Sequence, residues 1–188
     1  MLDKDLIHRV SEWNEARYHT PVFNLRLFKE MIAEEYDEYI WSYSDPVERL
    51  DALGDLLFIT LGAYWKLSAL PDKVLKTPYG ANISNVVEPS EYLHYTVKTI
   101  ISYDDGGYGI PHLLDFLLNA IICEFDLLGF VEQDVNDTLE AICDSNDTKE
   151  IVFLDEAEKG EMKHKGFVPP TETLKKIAAR LVDESQKV

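Results

Sequence analysis

Residues 52–65 constrain the fold of this chain more than any other stretch of its sequence. They are apolar at nearly every position of a helix, and their only charged side chain before Lys66 is Asp55. A helix that is apolar all round is stable only where other elements cover it on every side. The sequence therefore predicts a helix over residues 47–70 that is fully covered, and it predicts a homodimer whose second copy completes the cover.

The rest of the chain has the hydrophobic spacing of further helices, and we expect one all-α domain over residues 1–188. Asn24 is a predicted N-cap, and Asp45 followed by Pro46 is a second start signal. After Asp147 the pattern changes and predicts a small C-terminal β-hairpin within residues 151–168. The other predicted helices cover residues 5–18, 24–42, 111–129 and 131–144, one from Pro89 to before Asp104, and one from Thr171.

Composition excludes several classes of function. The chain has 188 residues, of which 46% are hydrophobic, so it can form a sizeable core. Its formal net charge of -17 excludes binding to nucleic acids or anionic lipid through a positive field. We expect a cytoplasmic protein, because two cysteines suit a reducing compartment and no secretory signal or membrane span is visible.

Carboxylates occur where burial is expected. Glu35 lies on the apolar stripe of the helix over residues 24–42, with Glu38 one turn further and Glu34 beside it. Asp55 lies in the apolar run, and Asp51 precedes it by one turn. A buried carboxylate is costly without a partner.

A divalent cation is one partner for these carboxylates. Arg49 and Lys66 are the nearest cationic residues, and neither is at a pairing offset on that helix face. Asp and Glu oxygens are the ligands that Mg²⁺ or Mn²⁺ prefers. The structural alternatives are a solvated acidic surface for Glu34–Glu38 and a hydroxyl-capped core residue for Asp55.

The two acidic motifs resemble those of the all-α nucleoside triphosphate pyrophosphohydrolases, which include MazG-like, dUTPase-like and phosphoribosyl-ATP pyrophosphohydrolase-like proteins. The resembling segments are Glu34-Glu35-x-x-Glu38 and Asp51-Ala-Leu-Gly-Asp55. The second has the form found in the phage-type branch. The resemblance implies a helical bundle of the MazG-like type that splits a (deoxy)nucleoside triphosphate into monophosphate and pyrophosphate.

The same resemblance implies roles for the acidic residues. Glu35, Glu38, Asp51 and Asp55 would bind Mg²⁺, or Mn²⁺, and Glu34 would orient or deprotonate the attacking water. The family pattern is ExxE followed by ExxD, and here the Glu of ExxD falls on Ala52. This departure leaves the fourth ligand open between Asp51 and Glu48.

A second stretch supports the resemblance. Ser145-Asn146-Asp-Thr-Lys149 resembles the S-N-x-[ST]-K ending of a helix in MazG-like phage proteins, which implies that Asn146 and Lys149 contact substrate phosphates. The alternative is that both residues only close a helix end. Residues 88–129 also repeat the layout of residues 24–70 loosely, either by coincidence or as a degenerate second copy.

Two other functions stay open at the level of sequence. An acidic helical protein can mimic DNA and occupy a nucleic-acid-binding protein, which requires acidic residues exposed in rows. A degenerate family member can bind a nucleotide without hydrolysing it, and the missing Glu at Ala52 fits that alternative. The preferred base and sugar cannot be derived from these motifs.

Overall fold

The computed structural model describes residues 2–42, 44–68, 89–104, 109–149 and 166–185. These residues contain seven helices and no strand, which confirms the all-α prediction. The helices are α1 (Lys4–Glu15), α2 (Leu25–Trp41), α3 (Pro46–Lys66), α4 (Pro89–Ser102), α5 (Ile110–Leu127), α6 (Glu132–Asp147) and α7 (Thr171–Ser185).

The two predicted caps of α2 and α3 are confirmed. Asn24 Oδ1 accepts a hydrogen bond from the backbone N–H of Leu27 at 3.1 Å. Asp45 Oδ1 accepts from the N–H of Val47 at 2.9 Å and that of Glu48 at 3.3 Å. These bonds satisfy backbone donors that have no partner in the first turn of a helix.

Some predicted boundaries differ from the structure. α1 ends at Glu15 rather than at Tyr18, because the chain tightens there and the N–H of Arg17 bonds the carbonyl of Asn14 at 3.0 Å. α6 extends to Asp147, so Asn146 lies in its last turn. The predicted hairpin lies outside the described residues except for residues 166–168, which form no strand.

α3 is the central helix of the described structure. It contacts α1, α2, α5, α6 and α7, and most of its length is buried. One chain therefore supplies cover that the sequence-based argument assigned in part to a second copy, and the homodimer stays a prediction. No helix among the described residues is long and apolar enough to span a membrane.

Glycines allow α3 to approach two of its neighbours closely. A Cβ atom built on Gly54 would lie 2.6 Å from Cγ1 of Ile142 and 3.0 Å from Cγ2 of Thr138, both on α6. A Cβ atom on Gly62 would lie 3.1 Å from Nδ2 of Asn14 on α1. The contact at Gly54 is too close for any side chain, so glycine sets the distance between α3 and α6.

A buried polar group joins α2, α3 and α5. The hydroxyl of Tyr39 donates to Oε1 of Glu124, whose side chain is 2% exposed. The guanidinium of Arg49 donates to the Tyr39 hydroxyl and lies 3.8 Å from Glu124. Arg49 on α3 thus links Tyr39 of α2 to a buried carboxylate of α5.

The Gly54 contact gives a first prediction. Gly54→Ala should lower the free energy of unfolding by about 1–2 kcal/mol in urea titrations followed by circular dichroism. Overpacking against Ile142 and Thr138 costs about 1–3 kcal/mol, which exceeds the ~1 kcal/mol that alanine gains over glycine in a helix. In an Ile142→Ala background the same substitution should be neutral or stabilising, because Cγ1 of Ile142 is gone. A stabilising effect in the wild-type background would contradict the packing.

Candidate active site

A cavity of about 990 Å³ lies between α2, α3, the end of α1 and the end of α6. Its size is within the range of small-molecule sites. All five acidic residues singled out from the sequence line it, and so do Asn146 and Lys149. The tertiary structure therefore brings the two acidic motifs together with the end of α6. In the sequence, more than ninety positions separate Asp55 from Lys149.

The acidic residues occupy one end of the cavity, where α2 and α3 face each other. Glu35, Asp51 and Asp55 are partly buried, whereas Glu34 and Glu38 are exposed at the rim. The short connection at residues 42–45 makes α2 and α3 antiparallel neighbours, so the C-terminal part of α2 lies beside the N-terminal part of α3. Spacings of three and four residues keep each set of carboxylates on one helix face.

Asp51 and Glu48, the two candidates for the fourth metal ligand, differ in their position relative to the cavity. Ala52, which occupies the usual Glu position of the family motif, is 2% exposed and lies in the core. Asp51 lines the cavity. Glu48 is exposed and does not belong to the cavity lining. Of the two candidates, only Asp51 is therefore placed beside Asp55 on the cavity wall.

Burial and the neighbouring carboxylates raise the cost of ionising Glu35. The pKa of Glu35 rises from its ordinary 4.5 to about 8, mainly because the side chain is buried. The negative charges of Asp55, Glu38, Glu34 and Asp51 raise this pKa further, in that order of effect. A cation bound beside Glu35 would favour its ionised form and so lower this pKa.

The donor chemistry of the acidic end fits a hard divalent cation. Carboxylate oxygens from two helices reach the same cavity wall, and such oxygens suit Mg²⁺ or Mn²⁺. No three Asp, Glu, His or Cys side chains form a ready group for a metal ion in the part of the chain that the structure describes. Ion binding would therefore require these side chains to move closer together, which costs little for Glu38 because it is exposed.

The end of α6 is held against α1. Nε1 of Trp13 donates to the carbonyl of Asn146 at 3.1 Å, and Nη2 of Arg17 donates to the carbonyl of Lys149 at 3.0 Å. Nζ of Lys149 in turn donates to Oδ1 of Asn146 at 2.5 Å and lies 5.5 Å from the centre of the Phe167 ring. These contacts place one ammonium group and one amide on the cavity wall.

Sequence reasoning missed the aromatic wall of the cavity and one cation. Phe58 contacts Trp13 edge to face with ring centroids 5.2 Å apart, and both residues line the cavity. Lys66 also lines it, with Nζ 3.9 Å from the centre of the Tyr18 ring. The available signal was spacing, because Lys66 follows Asp55 by eleven residues, close to three full turns of helix.

The raised pKa of Glu35 gives a second prediction. A carboxyl whose folded-state pKa is raised contributes stability that is complete below about pH 4.5 and is lost as the pH rises through about 8. In EDTA, Glu35→Gln should therefore gain stability over the wild type from pH 5 to pH 9. The expected gain at pH 9 is about 1–2 kcal/mol after allowance for partial exposure, or roughly 2–8 °C in Tm.

Asp37→Asn is the matched control for this measurement. Asp37 is an exposed acid on α2 that does not belong to the cavity lining. Its variant should follow the wild-type pH profile. An equal gain in both variants would show that general surface repulsion, rather than the cavity, causes the effect.

Comparison with known families agrees with this geometry. Residues 1–77 match the family model of phosphoribosyl-ATP pyrophosphohydrolase. The matched segment contains α1, α2, α3 and all five acidic residues, whereas Asn146 and Lys149 lie outside it. Neither the curated proteins nor the solved structures gave a match. The family match confirms the resemblance drawn from the acidic motifs: residues 1–77 are similar to a family of the all-α nucleoside triphosphate pyrophosphohydrolase superfamily.

Proposed function

We propose that this protein hydrolyses a (deoxy)nucleoside triphosphate to the monophosphate and pyrophosphate in a Mg²⁺-dependent reaction. The family match indicates a pyrophosphohydrolase-like function on a nucleotide. The observation that carries the finer proposal is the common cavity, whose lining includes five carboxylates from α2 and α3 together with Lys149 and Asn146. Such a cavity offers places for cations at one end and for phosphate oxygens beside them.

Each group has a separate role in this proposal. Glu35, Glu38, Asp51 and Asp55 would hold the cation, which when bound neutralises phosphate charge and lowers the pKa of a coordinated water. Lys149 donates hydrogen bonds to phosphate oxygens and exchanges its bond to Asn146 for them.

Glu34 accepts the proton of the attacking water. The water oxygen bonds the α-phosphorus as the bond from that phosphorus to the bridging oxygen breaks, and pyrophosphate leaves with the bond electrons.

The cavity also argues against the DNA-mimic alternative. A mimic needs its acidic groups in exposed rows, whereas Glu35, Asp51 and Asp55 are partly buried and line a concave site. The nearby apolar wall, with Trp13 and Phe58, suits a small molecule with a ring. An inactive nucleotide-binding protein would share this cavity, so turnover is the property that separates it from an enzyme.

The third prediction concerns products and metal dependence. With Mg²⁺, the wild type should release pyrophosphate rather than orthophosphate from at least one substrate in a screen of the common NTPs, dNTPs and phosphoribosyl-ATP. Asp55→Asn should lower kcat by at least about 100-fold, because it removes a charge that the cation needs. Mg²⁺ should raise the Tm of the wild type and that of the variant much less.

Asp37→Asn serves again as the control and should keep wild-type turnover and the Mg²⁺-dependent rise in Tm. Activity that survives excess EDTA, or release of orthophosphate alone, would contradict the proposed reaction. Nucleotide binding without turnover in the full screen would favour the inactive binding protein instead.

The fourth prediction tests the end of α6. Lys149→Ala should raise KM about tenfold, because a charge-assisted bond to phosphate is lost, while the Mg²⁺-dependent rise in Tm stays intact. Lys98→Ala, on the exposed face of α4, should change neither quantity. If Lys149→Ala leaves KM and kcat unchanged, Lys149 only closes the helix end.

A further inference from the structure

Lys66 is a cationic side chain of the cavity that the proposed reaction does not use. It lies in the last turn of α3, and its Nζ atom is 3.9 Å from the centre of the Tyr18 ring. Its side chain is partly buried, and burial lowers the pKa of the amine from 10.5 to about 8. A hydrogen-bond acceptor from a ligand would stabilise the ammonium form there.

Helix geometry places Lys66 far from the acidic end of the same wall. Asp55 and Lys66 are eleven residues apart on one helix, which corresponds to about 16 Å along its axis. A triphosphate chain is shorter than this distance. If phosphates lie beside Asp55 and Lys149, Lys66 is positioned beyond them, where the nucleoside extends.

The cavity wall between these two ends is apolar. On α3 it consists of Phe58, Ile59, Gly62 and Ala63, and Phe23 and Phe28 line the same cavity. Flat aromatic and aliphatic surfaces suit the faces of a base, and a donor at their far end suits its edge.

We propose that Lys66 selects the base of the nucleotide by donating a hydrogen bond to a carbonyl oxygen on its edge. This inference rests on the proposed function and names its substrate class, nucleotides of guanine, uracil or thymine. The ammonium group of lysine donates hydrogen bonds and cannot accept them. Guanine has a carbonyl oxygen at the position where adenine has an amino group, and thymine and uracil have one where cytosine has an amino group. An amino group is itself a hydrogen-bond donor, so it would leave the Lys66 ammonium group without an acceptor.

The other charged groups of the cavity lining lie at the acidic end or follow α6, so Lys66 is the candidate for contact with the base. Glu34, Glu35 and Glu38 of α2 and Asp51 and Asp55 of α3 belong to the acidic end. Lys149 follows α6, whose end is held at Trp13. Within the described residues, α4, α5 and α7 contribute no side chain to the lining, and Tyr18 is the titratable group that faces Lys66.

The fifth prediction is a change of base preference. Wild-type kcat/KM should be higher for nucleotides of guanine, uracil or thymine than for those of adenine or cytosine. Lys66→Met should lower kcat/KM for the first group about 10- to 100-fold, the value of a charge-assisted hydrogen bond, and change the second group less than about twofold. Lys66→Arg should keep the preference, and Lys98→Met, an exposed control on α4, should match the wild type.

A binding experiment without catalysis separates this inference from the proposed reaction. Calorimetry in EDTA should show that the wild type binds GMP and UMP more tightly than AMP and CMP. In the Lys66→Met variant this difference in affinity should disappear. At pH 8, titrations of the wild type in two buffers of different ionisation enthalpy should show proton uptake with GMP, because the bound carbonyl raises the pKa of Lys66. The variant should take up fewer protons, because uptake by Glu35, whose pKa is also about 8, is common to both proteins.

The outcomes are distinct. Binding that follows the predicted preference without any turnover overturns the proposed reaction and leaves the role of Lys66 standing. Turnover with a preference for adenine or cytosine, or with no effect of Lys66→Met, overturns the role of Lys66 alone. An equal loss for all four bases, or a Lys66-dependent binding of ribose 5-phosphate, also overturns it, because Lys66 would then contact sugar or phosphate. Absence of binding and turnover for every nucleotide overturns both.

Discussion

Burial of α3 is the constraint on which the rest of the structure depends. Five other helices contact α3, and the apolar composition of this helix requires that cover. Gly54 lets α6 approach closely, and Gly62 does the same for Asn14 of α1. These close contacts fix where the ends of α1 and α6 lie along α3. The position of the cavity therefore follows from the packing of its central helix.

The part of α3 that faces the cavity carries its charged residues in a definite order. Asp51 and Asp55 face α2 at one end, and Lys66 faces Tyr18 at the other. Apolar residues separate Asp55 from Lys66 by about three turns of helix, so the aspartates and the lysine do not form an ion pair. Arg49, the arginine nearest to the acidic residues in the sequence, pairs instead with Tyr39 and with Glu124, a buried carboxylate of α5. The acidic end, formed by carboxylates of α2 and α3, is where the cation of the proposed reaction would bind.

Local signals in the sequence predicted much of the fold and part of the site. Asn24 and Asp45 were recognisable as caps because their side chains bond backbone donors only a few residues away. Glu35 and Asp55 stood out because a carboxylate conflicts with an apolar helix face. Lys66 was not singled out: its spacing from Asp55 places it on the same helix face, but its partner Tyr18 is distant in the chain, so the sequence did not show the contact.

By itself, the sequence determined that the chain is helical, that residues 52–65 must be covered, and that carboxylates lie on the inner faces of two successive helices. These properties follow from periodicity, capping and the cost of burying charge, all of which act over a few residues. Only the tertiary structure decided that Asp51 rather than Glu48 lines the cavity, that Asn146 and Lys149 reach it, and that Lys66 forms its far end. Those placements depend on how α1, α2 and α6 pack around α3, and packing is set by contacts between residues far apart in the chain.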